Sequence, residues 1–135
     1  MKLMVCFDGS DEAREALKEA EKRARAFMGE VLVVASHIVD DQDYPKRIEP
    51  TTAGLREAQA FFDERGISCR TMLLYRGFED PAGEHLRLTA EKEKVEEIIV
   101  GIRNRSKVGK LLLGSVAQYL ILRAGCPVLG VKKKR

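Results

Sequence analysis

Residues 101–115 read GIRNRSKVGKLLLGS and place Gly101, Gly109 and Gly114 among Arg103, Arg105, Lys107 and Lys110. Glycine lets a backbone approach a ligand more closely than any side chain allows, and a loop of successive N–H groups with cations around it suits phosphate. Arginine can fork onto phosphate oxygens, while lysine acts as a nearby point charge. Ser115 then opens the helix-like run SVAQYLILRAG. A helix start presents unpaired N–H groups and about half a positive charge, so phosphate at Gly114, Ser115 and Val116 needs no special side chain, and the Ser115 hydroxyl adds a donor. The same residues also read as a solvated basic loop with Ser115 as a helix cap, and the two roles do not exclude each other.

Other phosphate motifs fail to match. GxxxxGK[ST] lacks its Lys–Ser/Thr pair after the second glycine, and the first turn has no GxGxxG. The stretch Leu73-Leu74-Tyr75-Arg76 ends with no aspartate that could accept a phosphoryl group. His37 and His85 stand without a partnered nucleophile, so they read as structural and no catalytic residue is predicted.

These residues need elements to hold them. Leu3 to Phe7 is continuously apolar, as in a parallel strand covered on both faces, and it ends at Asp8-Gly9. Ser10 caps a predicted helix whose inner stripe is Ala13, Ala16, Leu17, Ala20, Ala24 and Phe27, stopped by Gly29. Val31 to Val34 is a second strand. A loop through Asp40, Asp41, Asp43, Pro45 and Pro50 leads to a helix with Leu55, Ala58 and Phe62 inward, ended by Gly66. Ser68 to Tyr75, carrying Arg70, reads as an edge strand with Arg76 after it, and Asp80-Pro81 opens a third helix. Ile98 to Val100 is a fourth strand, the helix from Ser115 to Arg123 ends at Gly125, and Pro127 to Val131 is a short fifth strand. Alternating strands and helices predict an α/β fold, a doubly wound parallel sheet with helices on both faces. There is no internal repeat and no low-complexity segment.

The chain has 135 residues, 44% hydrophobic and 33% charged, which fits one soluble domain and excludes a disordered chain. The net charge of +3 is mild, and with no Trp and no aromatics among the basic residues the Lys132–Arg135 tail predicts no nucleic-acid binding. The first apolar run is too short for a leader or a membrane span, so a cytoplasmic protein without membrane attachment is expected. Cys6, Cys69 and Cys126 are odd in number and far apart, and read as reduced core thiols.

In an open parallel sheet ligands bind beyond the carboxyl ends of the strands, where the strand order reverses. Asp8 follows the first strand and Gly101 the fourth; if those strands are neighbours, acid and glycine-rich loop share one crevice. With these residues in view the chain resembles the universal stress protein family over nearly its whole length. VCFDGSDEAREAL resembles that family's strand, Asp, Ser and helix opening. GIRNRSKVGKLLLGSVAQYLI resembles its G-x2-G-x9-G-[ST] nucleotide loop, and CPVLGVKKK its last strand.

The resemblance implies the five-stranded order 3-2-1-4-5 and binding of ATP, or ADP or AMP, with Mg²⁺ bridging phosphates. By the same resemblance Asp8 and Ile38 face the adenine, with Phe7 and Val100 as neighbours. Gly101 approaches the ribose, and Gly114, Ser115 and Val116 hold phosphates beside Arg103. Asn104 stands where the pattern has its second glycine; among residues with a Cβ, Asn enters the left-handed region most readily. The resemblance also implies a homodimer through Pro127 to Val131. The expected role is a stress-response protein that binds nucleotide as a regulatory switch. A nucleotide-free dimeric interaction module and a slow ATP-hydrolysing enzyme are the alternatives.

Overall fold

The apolar runs become β1 (Lys2–Cys6), β2 (Glu30–Ile38), β3 (Cys69–Arg76), β4 (Glu97–Ile102) and β5 (Val128–Lys132). Between them lie α1 (Asp11–Phe27), α2 (Tyr44–Asp63), α3 (Ala82–Lys92) and α4 (Ser115–Arg123). The computed structural model describes residues 1–38, 44–77, 81–103 and 113–133. Every strand pairing among them is parallel, in the order β3-β2-β1-β4-β5.

The unbroken apolar runs are explained by the two cores. Leu3, Val5 and Phe7 point with Val31, Val33 and Ile99 toward α1 and α2, whereas Met4 and Cys6 point with Leu32, Val34, Ile98 and Val100 toward α3 and α4. A strand whose successive side chains face opposite, equally covered sides has no polar face to show. Residues of the same parity therefore share a helix layer.

The predicted stripes mostly hold. Ala13, Ala16, Leu17, Ala20 and Ala24 of α1 are buried, as are Leu55, Ala58 and Phe62 of α2. Phe27 departs from this, being 57% exposed. It is the last residue of α1, beyond the buried stripe that ends at Ala24. The stop signal also differs: Met28, not Gly29, takes the left-handed conformation at φ 51°. Gly29 answers a different demand, since a Cβ there would lie 2.9 Å from the Met1 carbonyl oxygen.

Pro45 and Pro50, expected in a loop, fall inside α2. Pro45 lies in the first turn, where its missing N–H would have no helical partner. Pro50 lies deeper, and packing of Leu55, Ala58 and Phe62 overrides its local preference. Asp40, Asp41, Asp43 and Asp80 lie outside the described residues. β4 runs further than expected at both ends, taking in Glu97 and Gly101. Glu97 is 9% exposed and accepts from Nε and Nη2 of Arg23 of α1, the second contact being Nη2 to Oε2 at 3.4 Å.

Candidate functional site

The strand order makes β1 and β4 neighbours, with Cys6 opposite Val100. The chain therefore leaves the sheet in opposite directions at this point, and the two carboxyl ends part around a cavity of about 320 Å³. Phe7, Asp8, Val100, Gly101, Arg103, Gly114, Ser115 and Val116 line it. The acid after β1, the glycine of β4 and the start of α4 thus meet in one cleft.

Each arrives for a local reason. Gly9, at φ +80°, turns the chain from β1 into α1. Asp8 stabilises that turn, its Oδ1 accepting from the Ser10 N–H at 3.0 Å, and Ser10 Oγ in turn caps the helix by accepting from the Ala13 N–H at 3.1 Å. Arg103, just past β4, donates from Nη2 to Asp8 Oδ2 at 2.9 Å and stands 3.9 Å from Glu12 Oε2. That ion pair ties the two diverging strand ends together across the mouth. Asp11 pairs with Lys133 at 2.9 Å, which holds the Asp11 carboxyl below its usual range.

Gly101 has a packing role beside any ligand role. A Cβ there would come within 2.8 Å of the Glu12 carbonyl carbon and 2.9 Å of the Ala13 nitrogen, so only glycine lets α1 lie this close to β4. Gly114 is different: it is the N-cap of α4, and a Cβ would meet no described residue within 4 Å. Ser115 is the first residue of the helix, so the capping position expected for it belongs to Gly114. The helix is anchored from behind by Ala117 and Leu120 in the core, and by the Tyr119 hydroxyl, which donates to Glu84 of α3. Gly83 makes room for that ring, since a Cβ there would stand 2.7 Å from it.

Beneath these groups lies Cys6, whose thiol is pushed up to about 12 by burial and, secondarily, by Asp8. At neutral pH it is a small apolar wall. His37 is buried, with Nδ1 3.3 Å from the Thr51 hydroxyl, and links β2 to α2 away from the cleft. Among the described residues no three His, Cys, Asp or Glu side chains gather as a metal site, and no helix is long and apolar enough to cross a membrane.

A family model described as the universal stress protein family matches residues 1–132. The chain belongs to the universal stress protein family. A universal stress protein of Methanocaldococcus jannaschii is 32% identical over 99% of this chain and 83% of its own length. One from Thermus aquaticus is 32% identical over 96% of this chain and 97% of its own. Among solved structures, a universal stress protein from Archaeoglobus fulgidus superposes with a TM-score of 0.87 at 32% identity, covering 98% of both chains. Another from that organism, solved in complex with dAMP, gives 0.79 at 28% identity over 98% of both chains.

In this universal stress protein the glycine-rich motif begins inside β4 at Gly101 and ends at the cap of α4 at Gly114. Its middle lies outside the described residues, and with it Asn104, Arg105, Lys107, Gly109 and Lys110. Ile38 closes β2 opposite Arg76 and is not among the residues lining the cleft. Ser36, Arg76 and Leu86 do line it and were not expected there. Arg76 was assigned to an edge strand on its polarity alone. The overlooked signal is its position: it is the last residue of a parallel strand, at the end where such sheets bind ligands.

Proposed function

We propose that this universal stress protein binds an adenine nucleotide, ATP or its ADP or AMP relative, in the cleft between β1 and β4, as a regulatory switch in the cytoplasm. The observation that carries this reading is the open start of α4. Gly114 lines the same 320 Å³ cavity that Arg103 and Asp8 line, with no described residue within 4 Å of where its Cβ would stand. A helix start of this kind favours an anion without further help, and Arg103 adds a charge-assisted donor. The A. fulgidus relative solved with dAMP supports a nucleotide over another anion.

In this reading Phe7, Asp8 and Val100 surround the base and Gly101 the ribose, while Ile38, at the end of β2, stands outside the cleft lining. Gly114, Ser115 and Val116 take phosphate with Arg103 and Asn104. Mg²⁺ would arrive with the nucleotide, bridging its phosphates. The partner is a second copy of this chain, joined through β5, an edge strand whose first four residues are half-buried and whose last, Lys132, is exposed.

Calorimetric titration with AMP, ADP and ATP, each with and without Mg²⁺, tests the reading, with light scattering before and after nucleotide addition. Saturable heat for at least one adenine nucleotide is expected. Absence of heat for all of them, with an intact dimer, would leave the nucleotide-free interaction module.

A further inference from the structure

α4 is held more by α3 than by the sheet. Of its residues only Ala117 and Leu120 are buried, while Gln118, Ile121, Leu122 and Arg123 are exposed, and its most extensive neighbour among the described elements is α3. The two helices meet at Tyr119. Its ring lies on the backbone of Gly83, where a Cβ would stand 2.7 Å from it, and its hydroxyl donates to Glu84 Oε2. Glu84 is in turn fixed by Arg87, which donates from Nη2 to Oε1 at 2.6 Å and from Nε to Oε2 at 3.1 Å. Those hydrogen bonds hold the Glu84 carboxyl below its usual range, so Tyr119 meets a full carboxylate at neutral pH. A hydrogen bond to an ionised group is about twice as strong as a neutral one.

Both helices border the cleft with their first turns. Ala82 and Leu86 of α3 line it opposite Gly114, Ser115 and Val116, whereas Tyr119 and Glu84 stand outside the lining. Phe7 and Val100 follow or belong to strands that the sheet fixes on both sides. The place of Gly114 and Ser115 is set instead through α3.

We propose that Tyr119 and Glu84 are positioning residues for the nucleotide phosphates: their hydrogen bond between α3 and α4 fixes where the start of α4 stands at the cleft. The inference rests on the nucleotide reading above and deepens it. A helix start binds an anion through N–H groups whose directions the helix axis sets, and hydrogen bonds weaken steeply as their angle opens. A small tilt of α4 therefore takes donors from the phosphates, while the base keeps its contacts with β1 and β4.

The test titrates ATP, or AMP where ATP is silent, into wild type, Tyr119→Phe, Glu84→Ala, Glu84→Gln and the Tyr119→Phe/Glu84→Ala double variant, with thermal unfolding alongside. Tyr119→Phe keeps the ring on Gly83 and should weaken the nucleotide by roughly threefold to tenfold, the scale on which residues away from a ligand alter its binding. Glu84→Ala should match it, and the double variant should bind no more weakly than either, because each removes the same bond. Glu84→Gln loses the charge that pairs with Arg87 but keeps an acceptor for the hydroxyl, so it should bind closer to wild type than Glu84→Ala does. Adenosine, which lacks phosphate, should bind Tyr119→Phe as it binds wild type. A merely structural role predicts that affinity follows the melting temperature across the series and that adenosine falls with the nucleotide; that result overturns the inference. So does wild-type affinity in Tyr119→Phe, or losses that multiply in the double variant. In each of these cases the wild-type protein still binds nucleotide and that reading stands, whereas silence from ATP and AMP with the wild type ends the two together.

Discussion

Replacing Gly101 by alanine should loosen the contact between α1 and β4 on which the cleft is built. The added Cβ would stand 2.8 Å from both the carbonyl carbon and the Cβ of Glu12, and 2.9 Å from the Ala13 nitrogen. Most of those atoms are helix backbone, so no side-chain rotation relieves the clash. The start of α1 must retreat by several tenths of an ångström. Overpacking of this kind destabilises by about 1–3 kcal/mol. Alanine also restricts the unfolded chain, which stabilises by about 0.4–1 kcal/mol where the backbone conformation suits it. Gly101 has no left-handed φ, so that term applies here, but it is the smaller of the two. The net expectation is a loss of about 1–2 kcal/mol, or roughly 3–10 °C in Tm for a chain of this length. Nucleotide affinity should fall as well, because Ser10 and Ala13 move with the helix and both line the cleft. Urea and thermal unfolding followed by circular dichroism measure the first effect. Gly114→Ala is the control for the clash: its Cβ meets no described residue within 4 Å, so its cost is that of a poorer N-cap alone, partly offset by the restricted unfolded chain, and stays within about 1 kcal/mol of wild type. A Gly101→Ala protein as stable as wild type would refute the packing argument.

Three further outcomes follow from the contacts around this region. Ser10→Ala removes the α1 cap, whose Oγ accepts from the Ala13 N–H, and should cost about 1 kcal/mol in urea unfolding; an unchanged midpoint would deny the cap any energetic role. Arg23→Met strips the partner from Glu97, which is 9% exposed. Breaking a fully buried pair is worth about 3–5 kcal/mol, and the partial exposure of Arg23 reduces the expectation to roughly 1–3 kcal/mol, so a stable Arg23→Met protein would show that Glu97 is hydrated. The Cys6 thiol, pushed up to about 12 by burial, should resist alkylation at pH 8 in the native protein and react on unfolding in urea. Because its folded value is raised, the folded state holds its proton longer than the unfolded state. The stability this reflects is whole below about pH 9 and is lost as pH rises toward 12, and Cys6→Ala should flatten that alkaline decline in a pH series of unfolding midpoints.

The sequence by itself determined the alternation of strands and helices, because continuous apolar runs and heptad-like stripes such as Ala13, Ala16, Leu17 and Ala20 follow from local periodicity. It also determined where Gly9 and Ser10 turn β1 into α1, since those demands are met by residues a few positions apart. Boundaries drifted where distant packing governs. Pro50 stays helical because α2 is buried against the sheet beyond it, and Met28, not the glycine after it, takes the left-handed turn while Gly29 passes close to the Met1 carbonyl. The sheet order came from family resemblance, not from periodicity, which says nothing about which strands pair. What only the tertiary structure decided is the company each site residue keeps. Gly101 and Gly114 look alike in the motif, yet one is pressed against α1 and the other has no described residue within 4 Å of where its Cβ would stand. Arg76 looks like an edge-strand charge until the parallel register carries it, with Ser36, to the cleft that Asp8 and Arg103 close. Neighbours separated by tens of residues are set by strand pairing and helix packing, and those are properties of the whole sheet.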